Sequence, residues 1–335
     1  SMDAWFWIAG SALIVVTALG WLFVRSDAGR ILVAIRENEQ RCKYFGLPTS
    51  RIKTALIAGS AVVAALAGYA YAAYTDVVAP ELGGFQFGTE LVIWVALGGR
   101  GTLVGPAIAA VLIDFVSAYL GGTLPFVWQL LVGVVFTVVI VALPEGLGPA
   151  IFYASRRLLR RHGSSATRWA ARILPATERP APASDSVAIA LQGVACRYGS
   201  LSVLKEISFV GRAGELIGLV GPNGAGKTTL IRCISDGKER SDGRVSLQGS
   251  GIGRLPPEYC ARLGLGRKFQ APNIFETLSV SESFRIARAR LERPSFWRRD
   301  DAVRLPEAAL QVVRATGLAD QLSITGRHLS HGRKQ

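Results

Sequence analysis

Gly221-Pro222-Asn223-Gly224-Ala225-Gly226-Lys227-Thr228-Thr229 sets glycines at its first, fourth and sixth positions and follows them with a lysine and two hydroxyls. Glycine tolerates left-handed backbone that other residues resist, so such a loop can curl until its N–H groups converge. A loop of this spacing between a strand and a helix N-terminus cradles phosphate oxygens. Lys227 is placed to reach the β and γ phosphates of a nucleotide, Thr228 to ligate its magnesium, and Thr229 to add a further phosphate contact. Immediately upstream, Glu215-Leu216-Ile217-Gly218-Leu219-Val220 reads as a short apolar strand feeding the loop. Val187 to Leu191 and Val203 to Val210 are β-rich runs before it, so an α/β fold is expected around the loop.

Outward from the loop the chain changes solvent. Half of its 335 residues are hydrophobic, and the apolar excess lies before about Phe152. The formal charge of +14 is equally lopsided: Ser1 to Ser155 holds 8 basic and 9 acidic residues, whereas Arg156 to Gln335 holds 30 and 15. Strong basicity can signal nucleic acid. Here the cations are scattered, without a stacking platform or a helix-turn-helix or finger spacing, and nucleic acid is excluded as a partner. The densest group, Arg156, Arg157, Arg160, Arg161, Arg168 and Arg172, follows the last apolar span and reads as a positive-inside signal facing membrane lipid. Cys42, Cys196, Cys233 and Cys260 are too dispersed for a metal knuckle and read as ordinary small residues. His162, His328 and His331 form no two-ligand spacing.

Trp5 to Val24 is long enough to span a bilayer, and no basic run precedes it as in a signal peptide. Arg25 to Lys53 carries seven Lys or Arg and belongs on the cytoplasmic side. Ile52 to about Tyr74 crosses outward to Thr75–Gly84, which has Asp76 and Glu81 and no cation. Phe85 to Gly99 is either a short inward crossing or a re-entrant turn. Leu103 to Leu120 and Phe126 to Leu143 then form a hairpin around Gly121-Gly122-Thr123-Leu124-Pro125. About five passes keep every cation inside and deliver the glycine loop to the cytoplasm. Asp114, in the fourth span, is either paired to a neighbouring helix or part of a solute path, and Glu90 is equally ambiguous. Gly98-Gly99-Arg100-Gly101-Thr102 is dense enough in glycine to be a candidate interrupted segment lining that path.

The loop's neighbours narrow the family. The chain resembles the ATP-binding cassette (ABC) family at Tyr198, at Gly221 to Thr229, at Arg267-Lys268-Phe269-Gln270, at Phe275 to Val280, and at Leu329-Ser330-His331-Gly332. The resemblance implies that Tyr198 stacks the adenine of ATP, and that Gln270 touches magnesium or the attacking water while sensing the membrane domain. It also implies that Ser330, His331 and Gly332 grip nucleotide held by a partner's loop. His331 and Arg333 depart from the family's usual glycine and glutamine, and the helix expected after Ser330 has no room before Gln335. No apolar strand ending in Asp-Glu follows the loop in these residues, so the family's water-activating glutamate is not among them and hydrolysis by this chain alone is not expected.

The apolar half resembles the C-terminal part of permeases of the branched-chain amino acid and urea (short-chain amide) importers. The likeness rests on Gly29 to Glu39, Val92 to Leu103 and Leu143-Pro144-Glu145-Gly146-Leu147. It makes Arg30 to Arg41 a cytoplasmic coupling helix with Ile31, Ala34 and Ile35 on one face; the alternative is an amphipathic helix lying on lipid. The expected layout is a partial α-helical transmembrane permease domain over 1–152, a basic then Pro/Ala-rich linker over 153–186, and an α/β ABC ATPase domain over 187–335 ending at the signature motif. Leu263 to Gln270, Leu329 to Gly332, and Gly122 to Pro125 with Trp128 look closer to urea importers than to leucine importers. The resemblance implies ATP and Mg2+ as cofactors, a second ABC ATPase subunit, a second permease subunit and a periplasmic solute-binding protein as partners, and the bacterial inner membrane as the location. Alternatives are a branched-chain amino acid importer, a membrane-tethered phosphate-loop switch, and an inert piece of a longer or rearranged gene product. The guanine-reading Asn-Lys-x-Asp run of a switch is not found.

Overall fold

The computed structural model describes residues 2–75, 84–120, 172–176, 186–270, 273–292, 294–300 and 302–334, with isolated helical positions between 130 and 141. The span expected over Phe126–Leu143 falls largely outside these residues, as does the arginine cluster apart from Arg172. The chain divides into two compact units, residues 1–24 with 58–168 and residues 25–57 with 169–335. The polar segment between the first two apolar helices therefore belongs to the unit that contains the glycine loop.

In the first unit, α1 (Met2–Arg25) and α3 (Thr49–Thr75, entering this unit at residue 58) are the two described helices long and apolar enough to cross a membrane. No part of their apolar windows is buried by protein. Helices apolar on all sides and uncovered by protein suit lipid as their solvent. The stretch Phe85–Gly99 is helical, as α4 (Phe85–Gly98), and α5 (Gly105–Leu120) packs back against it through Ile93, Leu97, Ala109 and Ile113. The glycines between them have a packing role. A Cβ on Gly98 would lie 2.2 Å from the Gly105 carbonyl carbon, and one on Gly105 would lie 1.9 Å from the Gly98 oxygen. Thr102 Oγ1 closes the turn on the Gly98 and Gly99 carbonyls at 2.9 and 3.0 Å. This close backbone crossing accounts for Gly98, whereas Gly101 has open space around it. Asp114 is exposed on α5 and Glu90 half-buried on α4, and among the described residues neither forms an ion pair.

The second unit is built on an antiparallel hairpin, β2 (Val187–Tyr198) and β3 (Leu201–Arg212), extended through β4 (Asp242–Leu247) and β5 (Ser250–Gly251) in the order β3-β2-β4-β5. Both β-rich runs fall on this hairpin. Helix α6 (Lys227–Ser235) lays Leu230, Cys233 and Ile234 on Leu191, Val194, Leu204, Val245 and Leu247 of the sheet. Burying each such aliphatic chain contributes about 1.5–3 kcal/mol. Short α7 (Pro257–Arg262) closes this core through Cys260, while α8 (Val280–Arg288), α9 (Glu307–Ala315) and β6 (Ala302–Leu305) form a second layer. Strand β1 (Arg172–Pro175) pairs in parallel with β6, so four residues of the stretch read as a linker are structured.

One expected strand is not formed. Glu215–Val220 has no strand hydrogen bonding, and Leu216 and Val220 are 99% and 94% exposed. A continuous apolar run becomes a central strand only when neighbours on both edges accept its backbone bonds and layers cover both faces. Among the described residues no strand pairs with it.

Candidate functional site

The loop leaves Val220 and turns into α6 at Gly226, which caps the helix in left-handed backbone with φ 85°. Gly224 stands at φ 86°, again a conformation that favours glycine. A side chain at Gly226 would also meet Leu204 Cδ2 at 2.9 Å, so this glycine lets the loop lie against β3. Lys227 folds back over the turn, its Nζ donating to the Gly221 and Pro222 carbonyls at 2.6 Å each. Gly221 through Ala225 are exposed, as is Thr228, and Asn223 stands at the tip. The Ala225 N–H is used within the loop, on the Pro222 carbonyl at 3.3 Å. The first-turn N–H groups of α6 point outward without helical acceptors. Exposed loop backbone at a helix N-terminus, beside an ammonium on a flexible stem, fits a polyphosphate, and the Thr228 hydroxyl fits a magnesium ligand.

Tyr198 ends β2 at the hairpin turn, separated from β3 by Gly199 and Ser200, and is half-exposed. Its hydroxyl donates to Glu239 Oε2 at 2.9 Å, and this bond, with burial and Cys196 adding to it, raises its pKa to about 12. The ring is thus fixed at its polar end. Ser330 and Gly332 are exposed, and a helical turn, α10 (His331–Lys334), does begin at the signature run, with Lys334 N–H donating to Ser330 O at 3.1 Å. The sequence reading allowed it no room, yet one turn fits in four residues.

The second half of the site is helix α2 (Asp27–Tyr44). Its apolar face, Ile31, Ala34, Ile35 and Cys42, is buried with Leu47 against Phe275, Leu278 and Ile286. The segment read as a coupling helix is therefore covered by the unit that carries the loop. Ionic contacts frame this seat. Asp27 pairs with Arg285 at 2.6 Å, and Glu282 bridges Arg30 at 3.0 Å and Arg299 at 3.2 Å. Glu37 Oε1 accepts the Thr277 N–H at 2.8 Å, and Arg41 lies over the rings of Phe45 and Phe275 at 5.1 and 5.7 Å. Burial lowers the pKa of Arg41 and pushes the Cys42 thiol up to about 12, which leaves that thiol unreactive at neutral pH.

Continuous helical spacing over Arg30–Arg41 hides a break. Asn38 sits at φ −155° and ψ 82°, its Oδ1 accepts the Arg41 N–H at 2.9 Å, and its amide donates to Asn273 Oδ1. An asparagine accepting from residue i+3 is an N-cap placed inside a helix, and it starts a new turn. The sequence also singled out Gln270, which is exposed. Its neighbours reach α2. Phe269 meets Tyr44 edge-on at 5.2 Å, and Arg267 Nη1 donates to the Tyr44 hydroxyl at 2.7 Å and to Ser235 Oγ at 3.0 Å. Ser235 is the last residue of α6, so one guanidinium links the far end of the loop's helix to the end of α2.

Residues 2–143 match the family described as a branched-chain amino acid transport system permease component, and residues 204–335 match the ABC transporter family. The chain joins an ABC permease segment to an ABC ATPase segment. Among curated relatives, an ABC transporter ATP-binding protein of Azorhizobium caulinodans is 39% identical over 30% of this chain and 36% of its own length. LivG of Salmonella typhimurium, a high-affinity branched-chain amino acid transport ATP-binding protein, is 30% identical over 43% of this chain and 60% of its own. PhnC of Wolinella succinogenes, a phosphonates import ATP-binding protein, is 36% identical over 43% and 54%. A solved ATP-binding subunit of an ABC transporter is 27% identical over 44% of this chain and 57% of its own, with a TM-score of 0.36. The permease segment makes this a membrane protein, and the cassette segment is of the ATP-binding type.

Proposed function

We propose that the chain is a fused permease-and-cassette component of an ATP-driven importer in a bacterial inner membrane, with its ATPase part in the cytoplasm. The observation that carries this reading is the seating of α2 on Phe275, Leu278 and Ile286, which ties the stretch leaving the first apolar helix to the unit that bears the phosphate loop. Bound ATP supplies the free energy through its phosphoanhydride. The loop N–H groups from Gly221 to Gly226 and the Lys227 ammonium hold phosphate, Thr228 and Gln270 serve its magnesium, Thr229 adds a phosphate contact, and Tyr198 offers a ring to the base. Ser330, His331 and Gly332 reach nucleotide held by a second ABC ATPase subunit. A second permease subunit and a periplasmic solute-binding protein complete the assembly.

For the solute, urea or a short amide is the first reading, supported by the runs Leu263–Gln270, Leu329–Gly332 and Gly122–Pro125. A branched-chain amino acid is the second, favoured by the permease family and by the likeness to LivG. Uptake of labelled urea and labelled leucine, measured in cells carrying the complete system, separates them. Urea uptake abolished by Lys227→Ala supports the first reading, and leucine-only uptake overturns it. Uptake of either solute unchanged by Lys227→Ala overturns the role given to the loop.

A further inference from the structure

Residues 236–241, between α6 and β4, run along the last residues of β2. Ser241 N–H donates to Ala195 O at 3.0 Å, and Ser241 Oγ accepts the Arg197 N–H at 2.8 Å. Within the turn, Lys238 N–H donates to Asp236 Oδ1 at 3.0 Å, and Arg240 Nη1 donates to the Cys233 carbonyl at 3.0 Å. The Glu239 carbonyl accepts the Cys196 thiol of β2 at 3.3 Å and the Cys233 thiol of α6 at 3.8 Å. The turn is therefore seated without the Glu239 side chain. Its carboxylate accepts the Tyr198 hydroxyl at 2.9 Å and, among the described residues, forms no ion pair.

Strand β3 carries the phosphate loop to the same place. Leu201 pairs with Tyr198 across the hairpin, and a Cβ on Gly226 would meet the Val203 carbonyl oxygen at 3.4 Å and Leu204 Cδ2 at 2.9 Å. From Leu201 to Leu204 a strand rises about 10 Å, a span that ribose and phosphates cover. A half-exposed tyrosine at a strand end has several rotamers open to it, and ordering it on arrival of a base costs side-chain entropy. A bond from its hydroxyl to a carboxylate on a fixed turn settles the rotamer beforehand.

We infer that Glu239 is a positioning residue for nucleotide, holding the Tyr198 hydroxyl so that the ring is set for the base, from the turn that follows the loop's own helix. The one polar atom of the phenol side chain is thereby occupied, and the ring meets the base by stacking. The inference rests on reading Tyr198 as the base platform and Gly221–Thr229 as the phosphate cradle, and the experiment keeps the three apart.

Calorimetry of the full chain in detergent, with magnesium present, gives affinities for ATP and for inorganic tripolyphosphate, which has the phosphates and lacks the base. The ratio of the two affinities isolates the base and cancels any effect of charge on the phosphates. Tyr198→Ala is expected to lower that ratio roughly fivefold or more. Glu239→Ala is expected to lower it roughly three- to tenfold, and Tyr198→Phe, which loses the same bond, to match it, with no further loss in the double substitution. Glu239→Gln, whose amide oxygen still accepts from the phenol, keeps the ratio of the unsubstituted chain. Tripolyphosphate binding retained by each variant shows that it is folded. A ratio unchanged in Glu239→Ala while Tyr198→Ala lowers it overturns the positioning role alone, whether both affinities stay put or shift together. A ratio unmoved by Tyr198→Ala overturns the base platform, and failure of the unsubstituted chain to bind tripolyphosphate overturns the cradle; the inference falls with either.

Discussion

Helix α2 and the run Glu215–Val220 invite comparison, since both flank the machinery of the second unit and carry apolar residues that a sequence reader places inside. Ala34 is fully buried and Ile35 is 7% exposed, yet Leu216 is 99% exposed. Hydropathy does not separate them, because the run 215–220 is the more uniformly apolar of the two. Supply of a partner does. Ile31, Ala34 and Ile35 find Phe275, Leu278 and Ile286, some 240 residues onward, whereas among the described residues the run 215–220 finds no strand to pair with. Burial here follows the available complement.

That contrast breaks if the two segments respond alike to truncation. Ile35→Ala removes methyl groups from a packed seat and is expected to cost about 2–5 kcal/mol, read as a lower denaturation midpoint of the full chain in detergent. A loss indistinguishable from zero means that the seat is not a packed interface.

An intermediate effect is expected at the rim of α2. Lys53, donating at 2.9 Å, is the main cause that holds the Glu39 pKa near 2; Thr49 and Lys43 assist, and burial opposes them. Because the folded value lies below the ordinary 4.5, this contribution is complete above about pH 4.5 and is lost as pH falls toward 2. The carboxylate is one-third exposed, so screening keeps the gain below about 1 kcal/mol. Glu39→Gln should therefore flatten stability between pH 5 and pH 2 and leave the shape at neutral pH unchanged. An unaltered acid limb removes Glu39 from the account.

The smallest effect belongs to the other segment. Leu216→Ser is expected to change the stability of this chain by less than about 0.5 kcal/mol, as at an ordinary surface position. A cost near that of Ile35→Ala shows that the run is covered after all.

What was legible in the sequence divides along the same line. The phosphate loop could be read because its information is local: Gly224 and Gly226 need positive φ, and Lys227 follows at fixed spacing. The apolar face of α2 could be read from helical spacing. Its partners could not, since nothing in one sequence links Tyr44 to Arg267 and Phe269 across more than two hundred residues. The break at Asn38 stayed hidden because side-chain capping leaves the apolar period intact. Glu215–Val220 misled for the converse reason, as an apolar run records the wish for a neighbour and not its presence. The small residues from Gly105 were legible as close helix packing, and the structure shows Gly98 opposite Gly105 at a backbone crossing.

The central claim is that nucleotide at the loop is felt at α2 through α6, Arg267 and Tyr44. Amide hydrogen exchange of the full chain, with and without a non-hydrolysable ATP analogue, tests it in one experiment. The account predicts added protection over residues 221–229 together with a changed exchange rate over Asp27–Tyr44, the second effect lost in Arg267→Ala while the first remains. Protection of the loop with no response in α2 of the unsubstituted chain would contradict it.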